Sequence, residues 1–261
     1  MATILFHEII FGPVQSRRLG VSLGVNLLPA NGKWCNFDCI YCECGWNAGR
    51  RNDRRLPPRE QVSEALRGKL QSMQQDGALP DAITFSGNGE PTLHPQFAEI
   101  MDDVVALRNQ LAPQTKICVL SNATNLSNDA VFRALKKTDK PILKLDSAIE
   151  SSVRRINQPQ GNYAIARVVE QMQRFEGNFT LQTLFLRGIF HGEKFDNSTP
   201  EEVEKWLETV QLARPREIML YTINRDTPAH TLQKLAKEEL CAIAQKVAAI
   251  NTWGASVQIS E

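Results

Sequence analysis

Cys35, Cys39 and Cys42 stand in one short segment, KWCNFDCIYCECG, with Cys-x3-Cys-x2-Cys spacing. Thiols this close in sequence make poor disulfide partners, and an odd number leaves one over, so the grouping reads as a metal or iron-sulfur site. Three thiolates on one tight loop can face one side of a cubane cluster and leave its fourth iron without a protein ligand. That is the iron-sulfur counterpart of a catalytic metal site with an open position. Two other readings stay open. Cys44 can serve as fourth ligand of a structural zinc, with His7 or Asp38 as weaker candidates, or it can close the cluster of an electron carrier. The spacing departs from the Cys-x2-Cys pairs of common zinc modules and lacks the Cys-Pro that ends bacterial ferredoxin runs. Cys44 is therefore read as a spectator, and Cys118 and Cys241, in apolar stretches, as buried free cysteines.

Further along the chain, polar residues gather at the ends of apolar stretches. Ser86-Gly87-Asn88-Gly89-Glu90 sets small residues around one carboxylate, where glycine lets backbone approach a ligand and a carboxylate can receive an ammonium. An Asx-Gly turn is the alternative. Ser121-Asn122-Ala123-Thr124 offers short hydroxyl and amide groups suited to a ligand or to a capping turn. Lys144 and Asp146 alternate on one strand, and buried charge needs partners, which points to a polar site. Arg187 either holds a carboxylate in its planar fork or pairs with a surface acid. Tyr221 to Arg225 is polar enough to line a pocket.

What must position these residues is a repeating pattern: short β-branched runs alternate with longer helical spacing, the mark of βα units and a parallel sheet. Six strand candidates emerge, from Arg18 to Leu28 and then AITFSG, KICVLSN, PILKLDS, FTLQTLFLRG and EIMLYTIN. Val62, Ala65, Leu66, Leu70 and Met73 form one apolar helix stripe, and Phe97, Ile100, Met101, Val104, Val105 and Leu107 another. Ser127 to Asp129 and Thr199-Pro200 open two helices. The fold class is α/β, a partial (β/α)6 TIM-like barrel of parallel strands in one domain spanning 1–261, with the cysteine loop at 33–45 and the barrel at about 18–250. SVQIS near the end cannot alone supply the two strands of a closed barrel. Chemistry then belongs at the C-terminal ends of the strands.

The 261 residues carry 30 Lys+Arg against 29 Asp+Glu and are 42% hydrophobic, which excludes a disordered or polybasic chain. MATILFHEII lacks a secretory n-region and cleavage site, and no apolar run reaches the roughly 18 residues of a membrane span, so a cytoplasmic protein without membrane attachment is expected.

With Tyr41 just before its last cysteine, the loop resembles the cluster loop of the radical S-adenosylmethionine (radical SAM) superfamily. The resemblance runs from SRRLGVSLGVN to the sixth strand, with the motifs in strand order, and is closest to the wybutosine-synthesis and molybdenum-cofactor branch of iron-sulfur oxidoreductases. It implies that Cys35, Cys39 and Cys42 hold a [4Fe-4S] cluster whose open iron is chelated by the amino and carboxylate groups of S-adenosylmethionine. The reduced cluster would then cleave that cofactor to methionine and a 5'-deoxyadenosyl radical, which takes hydrogen from substrate. Tyr41 would pack near the adenine, and Gly89 and Glu90 would receive the methionine amino group, with Asn88 an insertion in the usual pattern. Ser121 and Asn122 resemble the family's Thr-Asn-Gly turn, with Ala123 in the glycine's place, and would face the ribose or carboxylate. Lys144 and Asp146 would lie near the cofactor, and Gln182, Thr183 and Arg187 near its carboxylate or the substrate.

Only Cys241 follows Cys118, so a second cluster is not expected. The substrate, whether small molecule, peptide or RNA, is not specified, and a glycyl-radical-enzyme activase is one alternative. Five arginines, Arg50, Arg51, Arg54, Arg55 and Arg59, follow the loop and read as a solvated segment rather than a nucleic-acid face, being diluted by Asp53 and Glu60. Arg17 and Arg18 contact cofactor or close the barrel end. An enzyme of this class also needs a low-potential electron donor such as flavodoxin or ferredoxin.

Overall fold

A computed structural model describes residues 4–16, 18–47 and 55–260. Arg17, Arg50, Arg51, Asp53 and Arg54 lie outside the described residues.

The chain opens with a hairpin of β1 (Ile10–Ser16) and β2 (Gly20–Val25) and leaves β2 through the cysteine loop. Next come α1 (Arg59–Gln75), β3 (Ala82–Phe85), α2 (Phe97–Leu111), β4 (Lys116–Ser121), α3 (Asp129–Lys136), β5 (Lys140–Lys144), α4 (Glu150–Ile156), α5 (Ile165–Gln173) and β6 (Thr180–Leu184). A smaller excursion, β7 (Leu186–Phe190) and β8 (Glu193–Asp196), precedes α6 (Pro200–Ala213) and β9 (Glu217–Tyr221). The chain ends with β10 (Leu232–Lys234), α7 (Lys237–Ile250) and β11 (Ser256–Ser260).

One sheet has the order β1-β2-β3-β4-β5-β6-β9-β11, parallel throughout except for the β1–β2 hairpin. It is the expected curled half-barrel, with β11 added as a parallel strand beyond the six, paired to β9 from Ser256↔Glu217 to Ser260↔Tyr221. Among the described residues its edges β1 and β11 do not pair, so the barrel stays open. A second, antiparallel sheet, β10-β7-β8, divides what the sequence presents as one strand: FTLQTLFLRG breaks at Phe185 between β6 and β7.

Helices follow from their stripes and caps. Val62, Leu66, Leu70 and Met73 are the buried face of α1, packed beside the Phe97, Ile100, Met101 and Val104 face of α2. Asn128 alone of the expected trio caps α3, its side chain accepting from the amides of Ala130 and Val131. Thr199 and Pro200 start α6, and its buried Trp206 donates to Thr183 Oγ1 at 3.0 Å. Every residue of β6 is buried, as a central parallel strand requires. Inside the barrel, Ala82, Cys118, Ile142 and Met219 form a small apolar layer apart from the main core. Above it, at the C-terminal ends of the strands, the polar residues collect.

Candidate functional site

The cysteine loop is seated by backbone on both sides. Toward β3, Trp34 N donates to Asn88 O at 2.7 Å and Glu90 N to Trp34 O at 3.1 Å. A Cβ on Gly89 would lie 2.0 Å from Trp34 O, and Gly89 has φ +137°, so this close approach requires glycine. Toward α4, Asp38 N donates to Asn157 O (2.9 Å) and Ile40 N to Ile156 O (3.0 Å). Within the loop, Lys33 Nζ donates to Asp38 Oδ1 and Gly45 O, both at 3.1 Å, and Asn47 Nδ2 donates to Phe37 O at 2.9 Å. A buried ammonium thus sits at the centre of a loop whose thiols surround it.

Cys35, Cys39 and Cys42 line one cavity together with Lys33, Tyr41, Gly89, Glu90, Ser121, Asn122, Lys144 and Gln182. All six cysteines of the chain are free thiols. Burial raises the Cys39 thiol, and burial with the nearby Glu90 carboxylate raises Cys35. Cys42 is held below the usual thiol range by a hydrogen bond from Cys44 and by Lys33, against burial. Burial opposes the charge of Lys33, yet the facing sulfurs and Asp38 raise its pKa overall. Amide donors reach two of the sulfurs, Asn157 Nδ2 to Cys39 Sγ at 3.4 Å and Asn122 Nδ2 to Cys35 Sγ at 3.6 Å. Cation and amide donors beside thiols are what bound thiolates need. Among the described residues no three His, Cys, Asp or Glu side chains close around a point that would hold a metal ion. A cubane asks for something else: thiols spread along one wall so that each meets a different corner, and this donor set fits it.

Glu90 is the next layer. Its Oε1 accepts from Thr92 Oγ1 (2.6 Å), Ser121 Oγ (2.8 Å) and Thr92 N (3.2 Å), and its Oε2 from Asn122 N at 2.7 Å. Burial raises its pKa even against these four donors, so the carboxylate has need of a cation. Asn88, the insertion, faces away: its side chain accepts from Phe6 N and donates to Phe6 O and Pro29 O, which leaves Gly87, Gly89 and Glu90 on the cavity. Ala123 takes φ +64°, the left-handed conformation that glycine would adopt without strain. Asn122 ties its turn to the cysteine loop, donating to Asn36 Oδ1 at 2.6 Å.

Asp146 lies behind the cavity wall rather than on it. Buried, it accepts from Tyr41 OH, from Asn157 Nδ2 at 2.7 Å, from Leu184 N at 2.9 Å and from Lys144 Nζ at 3.4 Å. It fixes Tyr41 and Lys144, both of which line the cavity. Lys144 Nζ also donates to Tyr221 OH at 2.9 Å; burial opposes its charge, but Asp146 and Tyr221 carry its pKa above the usual lysine value.

Two expectations are corrected. Arg187 is not on the cavity: beyond the break at Phe185 it belongs to β7 in the second sheet, where it pairs with Asp196 at 3.2 Å and with Glu239. Thr183 faces the helix layer, donating to Leu145 O at 2.8 Å, because strand side chains alternate and its neighbour Gln182 takes the cavity side. Of the two cysteines read as buried, Cys118 is, and its thiol is pushed up to about 12 by burial, whereas Cys241 on α7 is only half-buried. Arg18, from the SRRLG segment, and Lys33, which opens the cysteine segment without a role assigned to it, both line the cavity, and Asn157 joins this neighbourhood with no motif to mark it.

Residues 32–196, more than half of the chain, match the radical SAM superfamily. The chain belongs to that superfamily. A UPF0026 protein, slr1464 of Synechocystis sp., is 32% identical over 231 residues, covering 86% of this chain and 78% of the relative. Among solved structures, a radical SAM methyltransferase from Sphaerobacter thermophilus has a TM-score of 0.66 at 14% identity, covering 92% of this chain and 65% of that one. TYW1 with a lysine-pyruvate adduct bound has a TM-score of 0.63 at 16% identity, covering 87% and 73%. At these identities the two structures share the radical SAM half-barrel, and no helix among the described residues is long and apolar enough to cross a membrane.

Proposed function

We propose that this radical SAM protein is an enzyme that uses a [4Fe-4S] cluster and S-adenosylmethionine to abstract hydrogen from a substrate. Cys35, Cys39 and Cys42 would hold the cluster, with Lys33 and the Asn122 and Asn157 amides offsetting the charge on the sulfurs. When bound, the pair supplies one-electron cleavage of a sulfonium and hydrogen-atom abstraction. Glu90, buried and held by four donors, would receive the methionine ammonium, which answers the desolvation cost of its own charge. Ser121 and Asn122 keep that carboxylate aimed while Asn122 locks the loop to β4. Tyr41, immobilised through Asp146 and Asn157, offers a fixed aromatic wall near the adenine. Lys144, which lines the same cavity, would lie near the cofactor, and Gln182 near its carboxylate or the substrate. A low-potential donor such as flavodoxin or ferredoxin would supply the electron.

The observation that carries this reading is one cavity lined both by three thiols and by a buried carboxylate without a cationic partner among the described residues. Under dithionite, the reconstituted protein is expected to form 5'-deoxyadenosine from S-adenosylmethionine, and Cys39→Ala to form none. Undiminished product from that variant would overturn the ligand assignment.

A second reading, a non-catalytic metal module with Cys44 as fourth ligand, has its own support, since Cys44 lines the same cavity beside Cys42. Against it, the Cys44 thiol has non-metal partners on two sides, with Cys42 as one and Gly87 O, 3.3 Å from its Sγ, as the other. Loss of the metal in Cys44→Ala would favour the module; retention of the cluster favours the enzyme.

A further inference from the structure

Arg18 lies in the β1–β2 turn, at the barrel end opposite the cysteine loop, yet its guanidinium reaches Tyr221, the last residue of β9, with Cζ 4.7 Å from the ring centroid. It lines the main cavity and also a second one of about 130 Å³ that continues into the barrel; Arg18, Leu120 and Gln182 are shared by both. Its Nη1 is buried and has no hydrogen-bond partner, and among the described residues no carboxylate pairs with the side chain.

The other cations on the cavity are all answered. Lys33 pairs with Asp38 beside the thiols, Lys144 with Asp146 and Tyr221 OH, and Arg225 with Glu43 at 2.7 Å. Among the described cations that line the cavity, Arg18 alone has no acid partner, and a buried guanidinium nitrogen without a hydrogen bond is costly unless something arrives to meet it. The aromatic face of Tyr221 holds it in place without consuming its donors. The second cavity is lined by apolar side chains such as Leu120, Ile142 and Met219, with Gln182 and four serine and threonine side chains among them. Such a space takes an acid group and a few carbons rather than a polymer backbone.

We infer that Arg18 is a specificity-determining residue that binds an oxyanion, a carboxylate or phosphate, on a small-molecule substrate whose other end faces the cysteine loop. The inference rests on the proposed radical SAM activity for what happens to that substrate, and on the geometry alone for its charge. Two-point contact from the guanidinium fixes the anion, and Gln182 stands beside it as a neutral donor.

The test is thermal unfolding of the full chain with reconstituted cluster, titrated with inorganic phosphate and separately with propionate at constant ionic strength. Wild type is expected to show a saturable rise in midpoint with one of the two, which distinguishes phosphate from carboxylate. Arg18→Gln is expected to bind that anion at least tenfold more weakly, and Arg18→Lys, which keeps the charge but not the fork, to fall between. Arg187→Gln, outside the cavity, is expected to match wild type within twofold. The readout is the concentration dependence, so a lower starting midpoint in Arg18→Gln does not mask it, and Arg18→Lys provides a second variant. No saturable rise in wild type, or an equal one in Arg18→Gln, overturns the inference. 5'-Deoxyadenosine formation by the same wild-type preparation reports separately on the enzyme reading: cleavage without Arg18-dependent binding overturns this inference alone, and binding without cleavage overturns the proposed function alone.

Discussion

The two halves of the barrel rim are built differently. From β2 to β5, the loops around the thiols are locked by backbone bonds and saturated carboxylates: Trp34 to Asn88 and Glu90, Asn157 O to Asp38, four donors on Glu90. From β6 to β11 the rim is looser in chemistry, with an ion pair at Arg225, a half-buried Tyr221 and Arg18, without an acid partner among the described residues, reaching in from below. A rigid half suits a cofactor that is the same in every turnover, and a half with unused donors suits recognition of a substrate, so holding and recognition would divide between the two sides of one rim.

The sharpest break in the rigid half is Cys39→Ala. It should keep the fold yet lose the cluster and at least a hundredfold of cofactor cleavage, measured as iron content and 5'-deoxyadenosine. Next is Gly89→Ala, which must push apart Gly89 and Trp34 O at a positive φ. We expect a loss of about 2–4 kcal/mol in denaturant unfolding, the range of a strained backbone plus a steric clash.

Glu90 sharpens the comparison through pH. Its folded pKa is raised by burial, so between the usual carboxylate pKa and that higher value the folded protein holds the proton more tightly than the unfolded chain. Stability contributed by this group is therefore full at low pH and is lost as pH rises through that window. Cofactor-free wild type minus Glu90→Gln should show this decline in unfolding midpoint with pH, and saturating S-adenosylmethionine should remove it.

Smaller effects are expected elsewhere. Arg187→Gln, which breaks a half-exposed pair on the second sheet, should cost less than about 1 kcal/mol and leave cofactor cleavage unchanged. Ala123→Gly should stabilise by about 0.5 kcal/mol, because the left-handed conformation at φ +64° is strained for alanine; equilibrium unfolding resolves it if replicates are tight.

The rigid half was legible in the sequence because its residues sit immediately after strands, in runs such as Cys35 to Cys42 and Gly87 to Glu90, where spacing alone encodes geometry. The half-barrel was legible for the same reason, through alternating periods. β1 was not, since Gly12 and Pro13 make Ile10–Ser16 read as a loop although it pairs along β2. Arg187 and Thr183 were misplaced by one continuous apolar run that hides a change of sheet and by strand parity. Asn157 could not be found at all from spacing: it arrives at Cys39 and Tyr41 from the end of α4, more than a hundred residues downstream, and only the packing of that helix brings it there.

The most direct test of the account is the low-temperature EPR spectrum of the anaerobically reconstituted, dithionite-reduced protein, recorded with and without S-adenosylmethionine. The account predicts a [4Fe-4S] signal in wild type that changes on adding the cofactor, because one iron lacks a protein ligand. A cluster signal indifferent to the cofactor, or no cluster at all, would contradict it.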